Sequence, residues 1–426
     1  MKIAIIIEHF DPARGGAERF AVWLARQLAQ RGHEVHVVCH DAKRPIHPLR
    51  AAHQGSSHDA ARSEHSLGQP EPVIPEGVHV HRLRGFKLST GMGFRLFGRR
   101  ARLWCKRHRP DVAHSITVAW AGDLYHPQAG VYQGIQAQAI AARNTKSDMT
   151  LKRWLMRLSS KQRTLLALEQ RAVRPRSEGG PWKIFSLSQM MSEEFFRYYN
   201  VGEGRLIRLD NPRMDGLPEL VGLDAARARF RAHYGLAETD LVAAFVGHDF
   251  RRKGLRWAVE TIAFSHKNWK LLVVGLGKCR EYVEQAQRLG LSDRVKFVGP
   301  TRDMHQVYAA ADALLLPTFY DSFGFVGIEA LSYGLPVIST RFLGCAPVIS
   351  ENHLGTIVQS PKDVAAMAKA LDGLPAGGPA RIELAQRARD ASAGMTGEEF
   401  MRQTLEVYEQ LCRHDHRPTP AKRRSA

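Results

Sequence analysis

One pattern limits what this chain can fold into. A strand-sized apolar run, a glycine-bearing turn and a helix-length segment with apolar residues three or four apart recur from end to end. The first instance is Lys2 to Ile7, which leads into Phe10-Asp11-Pro12-Ala13-Arg14-Gly15-Gly16 and then a helix carrying Phe20, Leu24 and Leu28 that stops at Gly32. A strand over 34–38 follows. Further apolar runs stand at 78–83, 111–115, 184–187, 205–209, 241–246, 271–274, 295–298, 313–316 and 337–339. Helical patterns lie between the later ones, at 189–199, 223–234, 254–265, 279–290, 303–310 and 326–333, with three more at 361–373, 380–392 and 397–412. Short continuous apolar strands separated by helices belong in parallel sheets covered on both faces. The expected fold is therefore α/β: two doubly wound, Rossmann-like domains with parallel sheets whose carboxyl edges face across a cleft.

A length of 426 residues suits two domains of ordinary size. Asp210-Asn211-Pro212 reads as the linker, which gives an N-terminal domain over 1–210 and a C-terminal domain over 211–395. A terminal helix over 396–412 is expected to pack back on the N-terminal domain, and the basic tail 413–426 to be disordered. Residues 41–75, rich in His, Pro, Gly, Ser and Arg without hydrophobic period, read as a surface loop.

No apolar run approaches the roughly 20 residues that span a bilayer, and the start, MKIAIII, lacks the long apolar stretch and cleavage site of a signal peptide. The five scattered cysteines imply neither a disulfide framework nor a zinc site, which suits a reducing cytosol. Net charge is +19, and its distribution is informative: residues 1–215 hold 34 Lys and Arg against 19 Asp and Glu, whereas 216–426 hold 27 against 23. Nucleic acid, an anionic membrane surface or a phosphorylated substrate would each answer such a domain. Two basic amphipathic stretches, Phe94 to Arg109 and Lys146 to Arg176, carry the excess. Each can lie against an anionic membrane or pack its apolar stripe on the sheet. The chain lacks a stacking-aromatic module of RNA-binding type, so no nucleic-acid partner is expected.

Four stretches carry chemistry. Gly15-Gly16 at a helix start lets backbone amides approach a phosphate or sugar oxygen. After the strand over 111–115, Asp123 and His126 are candidates for ligand contact, or else cap and bond locally. After Val246, Gly247-His248-Asp249-Phe250-Arg251-Arg252-Lys253-Gly254 places cations at a strand-to-helix turn, a natural diphosphate site, and Gly275-x-Gly277 is a second glycine turn. Finally Asp321 and Glu329 stand eight apart around Phe323-Gly324-Phe325, with a helix beginning near Phe325. Alone, these acids read as a solvated turn residue and a helix-start Glu. Beside Arg252 and Lys253 they suit transfer from a nucleotide sugar, because fixed cations stabilise charge that grows on a leaving diphosphate. That chemistry needs no metal, and the chain has no D-x-D motif of metal-dependent sugar transferases.

Taken together, Gly15-Gly16-x-Glu18-Arg19, the Val246-Gly247 to Lys253-Gly254 turn, Gly275-x-Gly277 and Asp321-x7-Glu329 resemble the family-4 retaining glycosyltransferases of GT-B fold over nearly the whole chain. VGHDFRRKGLRWAVETI and Gly122-Asp123-Leu124-Tyr125 are most similar to the lipopolysaccharide core glucosyltransferases that act on inner-core heptose. The resemblance implies an N-terminal domain that binds the acceptor and faces the membrane, and a C-terminal domain that binds the nucleotide sugar. It also implies that Arg252 and Lys253 bind the donor diphosphate, Glu329 the ribose, and Asp321 the sugar hydroxyls. Gly15, Gly16, Gly275, Phe323, Gly324 and Phe325 would complete the donor site, with Asp123 on the acceptor side. Two departures stand out: the first acidic position is Asp rather than Glu, and His248 replaces a common Arg. The implied partners are a nucleotide sugar donor, an anionic glycolipid acceptor and the inner face of the cytoplasmic membrane, with no cofactor and no metal. A GT-B sugar-nucleotide epimerase, a transferase using GDP-mannose or UDP-GlcNAc, and a basic membrane- or RNA-binding scaffold are the alternatives.

Overall fold

The computed structural model describes residues 1–42, 74–83, 85, 90–214, 216–219, 221–301 and 303–415. Most of the loop expected over 41–75 lies outside them. By its internal contacts the chain divides into two units. The first comprises Met1–Pro127, Ser160–Ile184 and the residues from Glu406 on; the second comprises Gln128–Ser159 and Phe185–Leu405.

The chain opens with β1 (Lys2–Phe10), α1 (Gly16–Gln30), β2 (Glu34–Ala42), β3 (Val78–Arg82), α2 (Gly91–His108), β4 (Val112–Ser115) and β5 (Leu124–Tyr125). β1 lies between β2 and β4, parallel to both, with Ile3 opposite Val35 and Val112. Ile3 to Ile7 are buried on both faces of the strand. Ala4 and Ile6 pack against Phe97, Ala101 and Trp104 of α2, while α1 buries Phe20, Leu24 and Leu28. The apolar stripe of the first basic stretch is thus core. Burial at about 1.5–3 kcal/mol per large side chain outweighs anything a surface docking would supply.

Next come α3 (Tyr132–Ala141), α4 (Lys146–Leu158), α5 (Ser160–Ala172), β6 (Lys183–Ser186), α6 (Gln189–Tyr199) and β7 (Leu206–Arg208). The second basic stretch is two helices rather than one, because the backbone turns extended at Ser159 (ψ 111°). Leu165 and Leu168 of α5 are buried; α4 buries no residue at all. The strand order is β3-β2-β1-β4-β5-β6-β7.

The remaining elements are α7 (Leu223–His233), β8 (Leu241–Val246), α8 (Phe250–Lys253), α9 (Leu255–Phe264), β9 (Trp269–Val274), α10 (Arg280–Arg288), β10 (Val295–Gly299), α11 (Met304–Ala310) and β11 (Ala313–Leu316), then α12 (Phe325–Ser332), β12 (Val337–Thr340), α13 (Ala346–Glu351), β13 (Gly355–Val358), α14 (Val364–Asp372), α15 (Gly378–Ala393) and α16 (Gly397–Asp415). The second sheet runs β10-β9-β8-β11-β12-β13, all parallel. Strand order reverses between β8 and β11, which makes their carboxyl ends the place where a doubly wound sheet holds a ligand. The terminal helix runs on to Asp415, so 413–415, expected to start a disordered tail, are helical. Residues 416–426 lie outside the described residues. From Glu406 onward the helix belongs to the first unit.

Candidate active site

The switch point of the second sheet carries the cationic turn. Asp249, in the left-handed region at φ 56°, caps α8 by accepting from the Arg252 amide at 3.4 Å. α8 is a single turn, ended by Gly254 at φ 80°. A Cβ there would sit 2.0 Å from the Pro317 carbonyl oxygen, so only glycine lets the turn back onto the end of β11. The Phe319 amide donates to the Arg252 carbonyl at 2.8 Å and fixes that contact. Arg252 Nη1 in turn donates to the Tyr320 carbonyl at 2.6 Å, and the Lys253 ammonium forms an ion pair with the Asp321 carboxylate. With side-chain exposures of 9% and 16%, neither charge of that pair is well hydrated without the other. Losing one member of a buried pair costs about 3–5 kcal/mol.

Backbone bonds hold the Asp321 loop. The Asp321 amide donates to Phe342 O and the Gly344 amide to Asp321 O, both at 2.9 Å, and Cys345 N donates to Phe323 O at 2.6 Å. Gly324, at φ 89°, caps α12, and a Cβ on it would come 2.2 Å from Leu343. Phe323 is buried and meets Phe325 edge-on at 5.2 Å. Glu329 lies one turn into α12, where its Oε2 accepts from the Tyr308 hydroxyl at 2.8 Å. Gly275 packs so tightly that a Cβ would lie 1.9 Å from Gly247 O. The Leu276 amide donates to His248 Nδ1 at 3.2 Å, so His248 fastens the second glycine turn. Arg252, Lys253, Gly275, Asp321, Phe323, Gly324, Phe325 and Glu329 therefore all belong to one unit, with direct contacts joining the cationic turn to the Asp321 loop.

Tyr320 was missed by sequence reasoning. Its hydroxyl donates to Glu194 Oε2 at 2.7 Å and accepts from the Val131 amide at 2.9 Å, while its carbonyl holds Arg252. Its position next to Asp321 was the available signal.

In the first unit, Gly15 is extended (φ 171°) and its carbonyl accepts from Arg19 N at 3.0 Å as α1 begins at Gly16. Nearby Glu8 accepts from the Thr117 hydroxyl. Burial pushes the Glu8 carboxyl above its usual range, with the charge of Glu18 a smaller push the same way. Asp123 departs from the expected placement. It precedes β5 and lies level with Ala113 near the start of β4, accepting from Ala113 N at 3.0 Å and facing Arg176 Nη2 at 3.5 Å. That is the amino end of the strands, so the carboxylate joins β4 to β5 instead of standing beyond a carboxyl end. His126 does follow the carboxyl end of β5, buried, with Nδ1 3.0 Å from His114 Nε2; His114 Nδ1 lies 2.6 Å from the Tyr408 hydroxyl. Burial lowers both imidazoles, His114 to about 3.

Residues 14–212 match the Glycosyltransferase Family 4 profile, and residues 226–391 match Glycosyl transferases group 1. The chain is 29% identical over 248 residues to the lipopolysaccharide glucosyltransferase WaaG of Escherichia coli, covering 56% of this chain and 64% of that protein. It is 31% identical over 205 residues to the D-inositol 3-phosphate glycosyltransferase of Corynebacterium kroppenstedtii, 45% of each. The chain thus spans less than two thirds of the length of these curated relatives. In fold it is similar to the crystal structure of WaaG, a glycosyltransferase involved in lipopolysaccharide biosynthesis, with a TM-score of 0.72 at 22% identity, covering 95% of this chain and 99% of the other. The two profiles fall one on each doubly wound sheet, and the chain belongs to the GT-B glycosyltransferases that join a family 4 amino-terminal domain to a group 1 carboxyl-terminal domain.

Proposed function

We propose that this protein is a retaining, metal-independent hexosyltransferase that moves glucose from UDP-glucose to a lipopolysaccharide core or similar anionic glycolipid. The observation that carries the reading is the junction of α8 with the Asp321 loop, where Arg252 and Lys253 are held beside the carboxylate that would take sugar hydroxyls. The Lys253 ammonium has three donors, so it can hold Asp321 and a phosphate oxygen together. As the bond from the anomeric carbon to the diphosphate oxygen breaks, negative charge grows on the leaving group, and the two cations stabilise it. The acceptor oxygen bonds to the same face of that carbon, and its proton passes to the departing phosphate oxygen. Glu329, oriented by Tyr308, would hold the ribose, and Gly275 would admit the diphosphate to the backbone.

The acceptor reading draws on the likeness to WaaG and on α4. Leu151, Trp154, Leu155 and Leu158 form one apolar stripe on α4 and are each at least half exposed, flanked by Lys152, Arg153 and Arg157. Among the described residues no helix is long and apolar enough to cross a membrane. We infer peripheral attachment to the inner face of the cytoplasmic membrane, each basic residue near an anionic surface adding about 1 kcal/mol. The likeness to an inositol phosphate transferase favours a second acceptor class, a phosphorylated cyclitol.

The test is a matrix of UDP-glucose, UDP-galactose, UDP-GlcNAc and GDP-mannose against heptose-terminated core glycolipid and inositol 3-phosphate, with products read by NMR. Glucose transferred to the glycolipid with an α-linkage is expected. An epimerised nucleotide sugar formed without acceptor, or transfer from GDP-mannose alone, would overturn the reading.

A further inference from the structure

A second cationic site lies in the same unit. Arg143, just past the end of α3, shares a cavity of about 510 Å³ with Arg251, Arg256 and Arg288, walled in part by Trp257 and Tyr282. Acids offset these charges unevenly. Arg256 pairs with Glu260 at 3.0 Å, and Arg251 reaches Glu281 only at 3.5 Å. Asp148 also lines the wall. Arg143 Nε is buried and makes no hydrogen bond. Burial, and after it the charge of Arg251, lowers the proton affinity of Arg143; Lys152 on α4 is lowered by burial and by both arginines. Arg143 and Arg251 therefore repel one another at a cavity whose wall holds an unused guanidinium N–H. An oxyanion relieves such repulsion, and a forked guanidinium matches phosphoryl oxygens.

We propose that this cavity is a phosphoryl-binding site, distinct from the donor site, in which Arg143, Arg251 and Arg288 clasp a phosphate group. It is distinct because Arg252 and Lys253 turn to Tyr320 and Asp321, whereas their neighbour Arg251 turns to Glu281. The phosphate can belong to a lipid headgroup or be free in solution. α4 begins three residues after Arg143 and carries the exposed stripe, which favours the headgroup; for that source alone the proposal rests on the membrane reading of α4.

Isothermal titration of the full chain with inorganic phosphate and with monomeric dihexanoyl phosphatidylglycerol tests it, with dihexanoyl phosphatidylcholine as the control. Saturable binding of at least one anionic probe is expected, weakened about tenfold in Arg143→Gln and further in Arg143→Gln/Arg288→Gln. Binding of the lipid alone assigns the headgroup, and equal binding of inorganic phosphate assigns the free anion. Thermal unfolding of the variants should not shift downward, since removing a crowded cation relieves repulsion. Arg288→Gln, at an exposed position, serves alone if the Arg143 variant folds poorly. No saturable binding of either anionic probe, or equal affinities in wild type and double variant, would overturn the proposal. No donor turnover enters the readout, so the outcome is separable from that of the transferase assay.

Discussion

Lys253 and Asp321 hold each other where two loops meet, and this pair determines what either residue does alone. Lys253→Ala is expected to lower kcat at saturating donor by about a hundredfold, the usual cost of one missing charge-stabilising donor. Initial rates across donor concentration measure it, and an effect confined to KM would identify uniform binding. Asp123→Asn is expected to behave oppositely. Loss of charge on the bond to Ala113 N should cost about 1–2 kcal/mol in urea unfolding and change kcat by less than about threefold. A large kcat loss at unchanged stability would restore the acceptor-side role. The contrast marks what single residues disclosed in the sequence. Lys253 and Asp321 were legible because each sits in a glycine-marked turn after a clear apolar strand. Asp123 was misplaced because β5 is only two residues long, too short for a hydrophobic pattern to show which side of a strand it occupies.

Among the elements, α2 and α4 share a basic amphipathic pattern and have opposite fates. Periodicity identifies the stripe, while burial depends on a partner that the helix's own sequence does not encode. α2 finds Ala4 and Ile6, whereas α4 buries no residue and leaves its stripe exposed. Replacing Leu151 and Trp154 by Asp should therefore abolish sedimentation with anionic vesicles. Thermal stability should stay nearly constant, since exposed substitutions cost within about 0.5 kcal/mol. Wild-type binding should weaken steeply with added salt. Vesicle binding untouched by the double substitution would remove α4 from the membrane reading. The parallel sheets were legible in the repeated strand-turn-helix pattern. The break at Ser159 was not, because neither glycine nor proline marks it.

For the whole molecule, buried titratable groups make stability depend on pH in two opposed ways. His114 and His126 are neutral in the folded protein, so below 6.5, their ordinary value, the unfolded chain takes up protons that the folded one refuses. Stability is lost progressively as pH falls from 6.5 toward 3. Glu8 acts the other way: its raised carboxyl keeps a proton that the unfolded chain releases, so stability falls as pH rises from 4.5 through its folded value. Urea titrations across pH should show Glu8→Gln removing the second slope and raising stability at neutral pH. Tyr408→Phe should cost about 1–3 kcal/mol, the penalty of leaving His114 Nδ1 without its hydroxyl.

Tyr408 also carries a consequence for how this protein is made. The first unit is assembled from three stretches of chain, and the last of them arrives with the terminal helix, whose Cys412 sulfur lies 3.8 Å from that of Met1. Synthesis is vectorial. A ribosome that has delivered every strand of the first sheet has still not delivered the hydroxyl that closes on His114. The first unit therefore goes without its Tyr408 contact until the residues from Phe185 to Leu405 have been made.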